Sequence, residues 1–172
     1  MPEPLEVHIR AFRPADAARI RALTIEGFDG VSIDQAIDRT FGPGPYPDWA
    51  ERKAASVQAW LDAQPERAFV AELNGDVVGY LTTDIVARYR TGRILDMAVD
   101  ARYRRRGIGS RLIAHALDAF RASGLALARI ETLEQNAAGR EVYPRHGFVE
   151  VARQIHYARR LDGASDASPP PG

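Results

Sequence analysis

The chain has 172 residues, 45% of them hydrophobic and 27% charged, with 23 basic residues against 23 acidic ones and no cysteine. That composition is ordinary for a folded protein, and a chain of this length can bury one good core. Zero net charge removes any global attraction to nucleic acid or an anionic membrane, and the lack of cysteine excludes disulfides, thiolate metal sites and an S-acyl enzyme.

Residues 1–6 lack the basic start and apolar run of a signal peptide, and no stretch approaches membrane-spanning length, so a cytoplasmic protein is expected. Residues 7–12 alternate as a strand, with His8 read as structural, and Pro14-Ala15-Asp16 opens a helix through about residue 26. Residues 27–49 are irregular. A short helix over 33–40 precedes a proline- and glycine-rich loop whose Phe41, Tyr46 and Trp49 either pack or line a pocket. Asp48 or a neighbour caps a helix through about residue 63, with Trp49, Val57, Trp60 and Leu61 as its inner face. Residues 67–73 and 77–86 read as a hairpin around Asn74-Gly75-Asp76, and 94–99 as a further strand.

That last strand runs into Arg102, Arg104, Arg105 and Arg106, then Gly107, Ile108, Gly109 and Ser110, where a helix begins. The first N–H groups of a helix have no partner within it and sit at its positive dipole end. Glycines there let a ligand approach the backbone, so the stretch is suited to cradle a pyrophosphate. A flexible connection with a solvated basic face fits the same residues. Without Gly-Lys-Ser/Thr the stretch is no P-loop, and no third glycine completes a dinucleotide fingerprint.

Ile108, Leu112, Ala116 and Phe120, with Ile113 and Leu117, form the apolar face of the following helix, while Arg111, His115 and Asp118 point outward. Gly124 ends it. A strand over 127–133, a helix over 137–144 and strands over 148–153 and 155–161 follow, and 162–172 reads as a disordered tail after a single domain over 1–161. Strand, helix, strand implies a right-handed crossover with parallel pairing, the two strands splayed where a ligand enters.

With both halves in view, the chain resembles the GCN5-related N-acetyltransferase (GNAT) family over roughly residues 7–160. Arg104-Arg105-Arg106-Gly107-Ile108-Gly109 fits the family's acetyl-CoA signature of Arg or Gln, two variable positions and Gly-x-Gly. Leu95-Asp96-Met97-Ala98-Val99 resembles its central bulged strand. Asn136, the helix carrying Gly139 and Tyr143, and Gly147-Phe148 resemble its second signature. The resemblance implies an α/β fold with a mixed, mostly antiparallel sheet of about six to seven strands, helices on both faces, and a splay at the acetyl-CoA site.

It further implies acetyl-CoA as co-substrate, its pyrophosphate on the backbone of Arg104, Arg105, Arg106, Gly107, Ile108, Gly109 and Ser110. Pantetheine would pair near Met97, Ala98 and Val99, with Asn136, Gly139 and Tyr143 also at the cofactor. Tyr143 matches the family's usual general acid. An alkylamine of pKa about 10.4 is mostly protonated at neutral pH, so a base is needed; Glu131 matches a strand glutamate proposed as base in relatives, with Glu134 and Asp96 in reserve. Glycine at 139, where relatives often have alanine, is expected to loosen the short helix without removing a contact. No metal is required.

The acceptor is expected to be a small-molecule amine or amino acid, set by residues 27–49, the turn at 87–92 and the strand carrying Gln154, Ile155, His156 and Tyr157. Asp29, Asp34, Asp38 and Asp48 either meet a cationic amine or are solvated surface. A protein N-terminus or lysine as acceptor, or a non-catalytic acyl-CoA sensor, remain alternatives. Neither nucleic acid nor membrane is an expected partner, and a homodimer is the commonest form of association open to such a chain.

Overall fold

The computed structural model of the protein describes residues 6–163. Four strands form a meander: β1 (His8–Ala11), β2 (Ala68–Leu73), β3 (Asp76–Val86) and β4 (Thr91–Val99), each antiparallel to the next, and β5 (Leu127–Ile130) pairs parallel to β4. The β2–β3 hairpin turns at Asn74 and Gly75, both at positive φ, which the favoured two-residue turn demands. Between β1 and β2 run α1 (Ala17–Phe28), α2 (Ile33–Phe41) and α3 (Trp49–Ala63); α4 (Ile108–Ala122) joins β4 to β5, and α5 (Ala137–Arg145) follows. The parallel β4–α4–β5 unit is the crossover that the strand-helix-strand order implies.

Consecutive residues of the central strands enter opposite cores, as a period of two requires. Val70, Val77, Tyr80 and Ala98 pack under Ile20 and Leu23 of α1 and Val57 and Leu61 of α3. Ala71, Val78, Leu81 and Ile94 pack under Leu112, Ile113, Ala116 and Phe120 of α4. Each such aliphatic side chain stabilises the fold by about 1.5 to 3 kcal/mol on burial. Tyr80 is fully buried, so its phenol needs a partner, and Thr24 Oγ1 lies 2.7 Å away. Burial pushes that phenol's pKa well up.

Two glycines set how closely helices approach β4. A Cβ on Gly27 would lie 2.6 Å from the Ala98 Cβ, so α1 sits almost directly on the strand. A Cβ on Gly92 would lie 2.6 Å from the Phe120 ring, which closes the far end of α4.

Several boundaries differ from the expectation. Among the described residues the sheet has five strands, fewer than the six to seven expected, because residues 148–153 and 155–161 run without strand pairing. Their alternation is real: Val149, Val151, Ile155, Tyr157 and Leu161 share one parity, yet all are exposed. Strand propensity is realised only against a partner edge, and here Arg153 is bound to Glu134 and Glu150, and Arg160 to the Phe41 carbonyl. β5 stops at Ile130 instead of residue 133, and α5 continues through Pro144 to Arg145. His115 is half-buried, its ring 4.6 Å edge-on from Phe69, where an outward solvated position was expected. Trp49 and Trp60 are only half-buried, and Ala54 joins Val57 and Leu61 on the inner face of α3. Residues 1–5 and 164–172, including most of the expected tail, lie outside the described residues.

Candidate active site

The turn after β4 is built by one buried carboxylate. Asp100 accepts the backbone N–H of Arg102 at 2.9 Å and the guanidinium of Arg102 at 2.7 Å, and also pairs with Arg19. Its side chain is 3% exposed. The hydrogen bonds from Arg102, followed by the charge of Arg19, hold its carboxyl down at about 2 against an ordinary 3.8. Arg102 is therefore committed to the turn and is not part of the mobile charge expected around a phosphate. Arg104 also bends inward, donating to the Val99 carbonyl at 3.1 Å and lying 3.7 Å from Glu26.

Beyond it the backbone takes two left-handed steps, at Arg105 (φ 60°) and at Gly107 (φ 80°), before α4 begins. A non-glycine residue there costs about 1 to 2 kcal/mol, and such outliers cluster at functional sites. No side chain caps α4, so its first N–H groups are open to a ligand. A Cβ on Gly107 would meet nothing within 4 Å, and one on Gly109 would touch only Met97 and Val99 at 3.8 to 4.0 Å. Open space, free amide donors and a helix N-terminus together fit an anionic arm such as a pyrophosphate.

The splay is visible in the register. β5 pairs with β4 only over Thr91 to Ile94, while β4 continues to Val99, so no strand covers residues 95–99 on the β5 side. The β3–β4 register also slips, with Thr82 opposite Asp96 but Thr83 opposite Ile94, which leaves Leu95 as a bulge. An extended amide chain has an open edge to pair with there. Between the diverging strands lies a cleft of ≈ 230 Å³ lined by Arg93, Ile94, Leu95, Asp96, Arg129, Ile130 and Glu131.

Glu131 and Asp96 thus share one cleft, but their surroundings differ. Glu131 is exposed and, among the described residues, held by Arg129 alone, at 3.0 Å. Asp96 is half-buried, paired with Lys53 of α3 and 3.4 Å from the buried Thr82 hydroxyl. Glu134 does not line the cleft; it pairs with Arg153 at 2.6 Å.

Tyr143 lies on the α4 side, edge-on to Phe148 at 6.3 Å and packed against the core that holds Met97 and Val99. Burial raises its pKa above the ordinary 10.0, partly offset by a hydrogen bond with Thr132, the neighbour of Glu131. Its ring folds back over its own helix. A Cβ on Gly139 would lie 2.8 Å from Tyr143 Cε2 and 2.9 Å from its oxygen, so the glycine makes room for the tyrosine, where only a looser helix was expected. Asn136 caps α5, accepting from the Gly139 N–H at 3.1 Å and donating to Thr132 at 2.8 Å.

The four aspartates suggested for a cationic acceptor have internal partners. Asp34 and Asp38 hold Arg52, at 3.3 and 2.8 Å, Asp48 caps α3, and Asp29 accepts from Gln35. The turn at 87–92 lies at the opposite end of β4 from Gly107, where Arg90 donates to the Gly124 carbonyl at 2.8 Å. The α1–α2 turn does approach the site, since Gln135 donates to the Gly30 carbonyl at 3.5 Å. Arg93, Arg129 and Lys53 were not anticipated. Arg129 carries a faint signal as an outward position of the strand expected over 127–133, whereas Arg93 precedes the strand expected over 94–99 and joins β4 only because that strand begins at Thr91, and Lys53 is brought to Asp96 from 43 residues away by tertiary packing alone.

Among the described residues, a five-stranded sheet opened between parallel neighbours, with a glycine-opened helix start at the opening, offers a place for an anionic ligand with an extended amide arm. The model of the acetyltransferase (GNAT) family matches residues 33–148. The chain is 31% identical to the [ribosomal protein bS18]-alanine N-acetyltransferase of Escherichia coli K12, over 69% of this chain and 76% of that one. It is 33% identical to the L-amino acid N-acetyltransferase AaaT of the same organism, over 72% and 75%. Among solved structures, Ard1 from Thermoplasma volcanium superposes with a TM-score of 0.62 at 26% identity, covering 85% of this chain and 84% of that one. The chain belongs to the GNAT family: it is an N-acetyltransferase whose co-substrate is acetyl-CoA.

Proposed function

We propose that this enzyme moves the acetyl group directly from acetyl-CoA to the primary amine of a small molecule, with both substrates bound together. The observation that carries the reading is the cleft between β4 and β5. It holds Glu131 and opens onto the uncovered edge of residues 95–99, beside the glycine turn. No cysteine is present to carry the acyl group, which favours direct transfer.

In this reading Arg104 to Ser110 bind the pyrophosphate through backbone amides, and the edge at Met97, Ala98 and Val99 receives the pantetheine arm. Glu131 takes the proton from the acceptor ammonium. Its exposure keeps it within reach of water, so one bridging water suits it as well as direct contact. Asp96, already bonded to Lys53 and Thr82, is less available for that proton. Tyr143 gives a proton to the departing thiolate. The raised pKa keeps its phenol protonated throughout the neutral range. Asn136 supports that placement by capping the helix, and Gly139 by leaving space for the ring.

A protein N-terminus is the second reading, favoured by the 31% identity to an enzyme named for an alanine of a ribosomal protein. The test is acetyl-CoA turnover by the purified protein against free amino acids, polyamines, aminoglycosides and peptides with free N-termini, with the product identified by mass. Acetylation of a small amine at the highest kcat/KM supports the reading. Turnover confined to peptides would replace it with the second.

A further inference from the structure

Arg93 and Arg129 are direct partners in the parallel pairing of β4 and β5, so they stand side by side on one face of the sheet. Both line the cleft that holds Glu131. Like charges opposite each other across strands repel, so two guanidiniums in register disfavour the pairing unless an anion lies between them. The anions already present do this weakly. Asp84, the β3 partner of Arg93, is 3.7 Å away with both side chains part-exposed, and Glu131 is 3.0 Å from Arg129. Exposed pairs of that kind contribute little.

The cleft is also ordered by charge along its length. On β4, Arg93 precedes Asp96; Arg129 of β5 precedes Glu131, the residue just past that strand. The carboxylates therefore lie toward the uncovered edge of residues 95–99, and the guanidiniums toward the closed end where the strands are paired. An amine presented to Glu131 has two arginines behind it. A second ammonium, as in a polyamine or an aminoglycoside, would face those arginines, and a peptide N-terminus would bring them a neutral amide. A carboxylate is the group that fits, and paired guanidiniums bind it through matched donors. The volume of ≈ 230 Å³ lies below the roughly 300 to 1,000 Å³ typical of sites for drug-sized ligands, which suits a single amino acid.

We infer that Arg93 and Arg129 form a carboxylate seat, and that the acceptor is a free amino acid whose carboxylate docks there while its amine meets Glu131. This rests on the proposed function and narrows its substrate class.

The experiment compares kcat/KM for a panel of free L-amino acids with that for the matching amino acid amides and dipeptides, in the wild type and in Arg93→Gln, Arg129→Gln and Arg93→Lys. The amide's amine is the less basic and so more often neutral at neutral pH; chemistry alone favours the amide, and a preference for the acid must come from binding. The wild type is expected to prefer the best free acid over its amide at least tenfold, chiefly through KM. Each glutamine variant should cut that preference at least fivefold by raising KM for the acid, while Arg93→Lys retains most of it. Amides or dipeptides used as well as the acids, or glutamine variants that lower acid and amide turnover alike, would overturn the carboxylate seat and leave amine acetylation standing. Silence toward every amine would overturn both.

Discussion

α1 meets β4 at Gly27 and Ala98, within the strand's uncovered stretch, and that approach can be perturbed by one methyl group. In Gly27→Ala the new Cβ would start 2.6 Å from the Ala98 Cβ, about an ångström inside the optimal separation of carbon atoms. Both atoms are fixed to backbone, so helix and strand must part. Overpacking of this kind costs about 1 to 3 kcal/mol, and alanine returns about 1 through helix propensity. The net loss is about 0 to 2 kcal/mol, which lowers Tm by up to about 8 °C at about 2 to 4 °C per kcal/mol. Because Ala98 lies between Met97 and Val99, KM for acetyl-CoA should rise as well. The deciding assay is a double-mutant cycle by urea denaturation with Ala98→Gly. The double variant lacks the clash, so the two substitutions should couple by about 1 to 3 kcal/mol in the compensating direction, with KM returning toward wild type. Additivity within about 0.5 kcal/mol would refute the close contact.

Three further outcomes follow from the site. Gly107→Ala adds a methyl group that meets no protein atom within 4 Å, in a left-handed conformation costing about 1 to 2 kcal/mol; equilibrium binding should show weaker acetyl-CoA affinity, and unchanged affinity would mean that the ligand does not approach this turn. Asp96→Asn should lower kcat less than Glu131→Gln does, measured as initial rates at saturating substrates, and the reverse order would assign the base to Asp96. Asp100 has its pKa depressed from 3.8 to about 2, so the stability it contributes is complete above about pH 4 and is lost as pH falls toward 2; Asp100→Asn should therefore show a flatter fall in urea stability across that window, and parallel curves would contradict the role given to Arg102.

The meander, the crossover and the glycine turn were legible because each rests on local pattern: alternation in β2 and β3, the four-residue recurrence of Ile108, Leu112, Ala116 and Phe120, and glycines at the start of a helix. The second signature was legible as residue types, but the geometric part of Gly139 was not, since the Tyr143 ring returns over it through a side-chain torsion that spacing does not reveal. Residues 148–161 show the opposite failure, a clear two-residue alternation without a partner edge. The cleft's charges were least legible. Lys53 reaches Asp96, and Arg93 meets Arg129, only after α3 and β5 have been placed against β4, whereas Asp34 and Asp38, acidic and close in sequence, are consumed by Arg52 of a neighbouring helix.

The most direct test of the central claim is thiol release from acetyl-CoA at saturating amine by the wild type, Glu131→Gln and Tyr143→Phe, each first shown to bind acetyl-CoA. Proton transfer by a positioned side chain contributes about 10² to 10⁴ in rate, so both variants should lose at least tenfold in kcat. Wild-type rates in both would contradict the roles given to Glu131 and Tyr143.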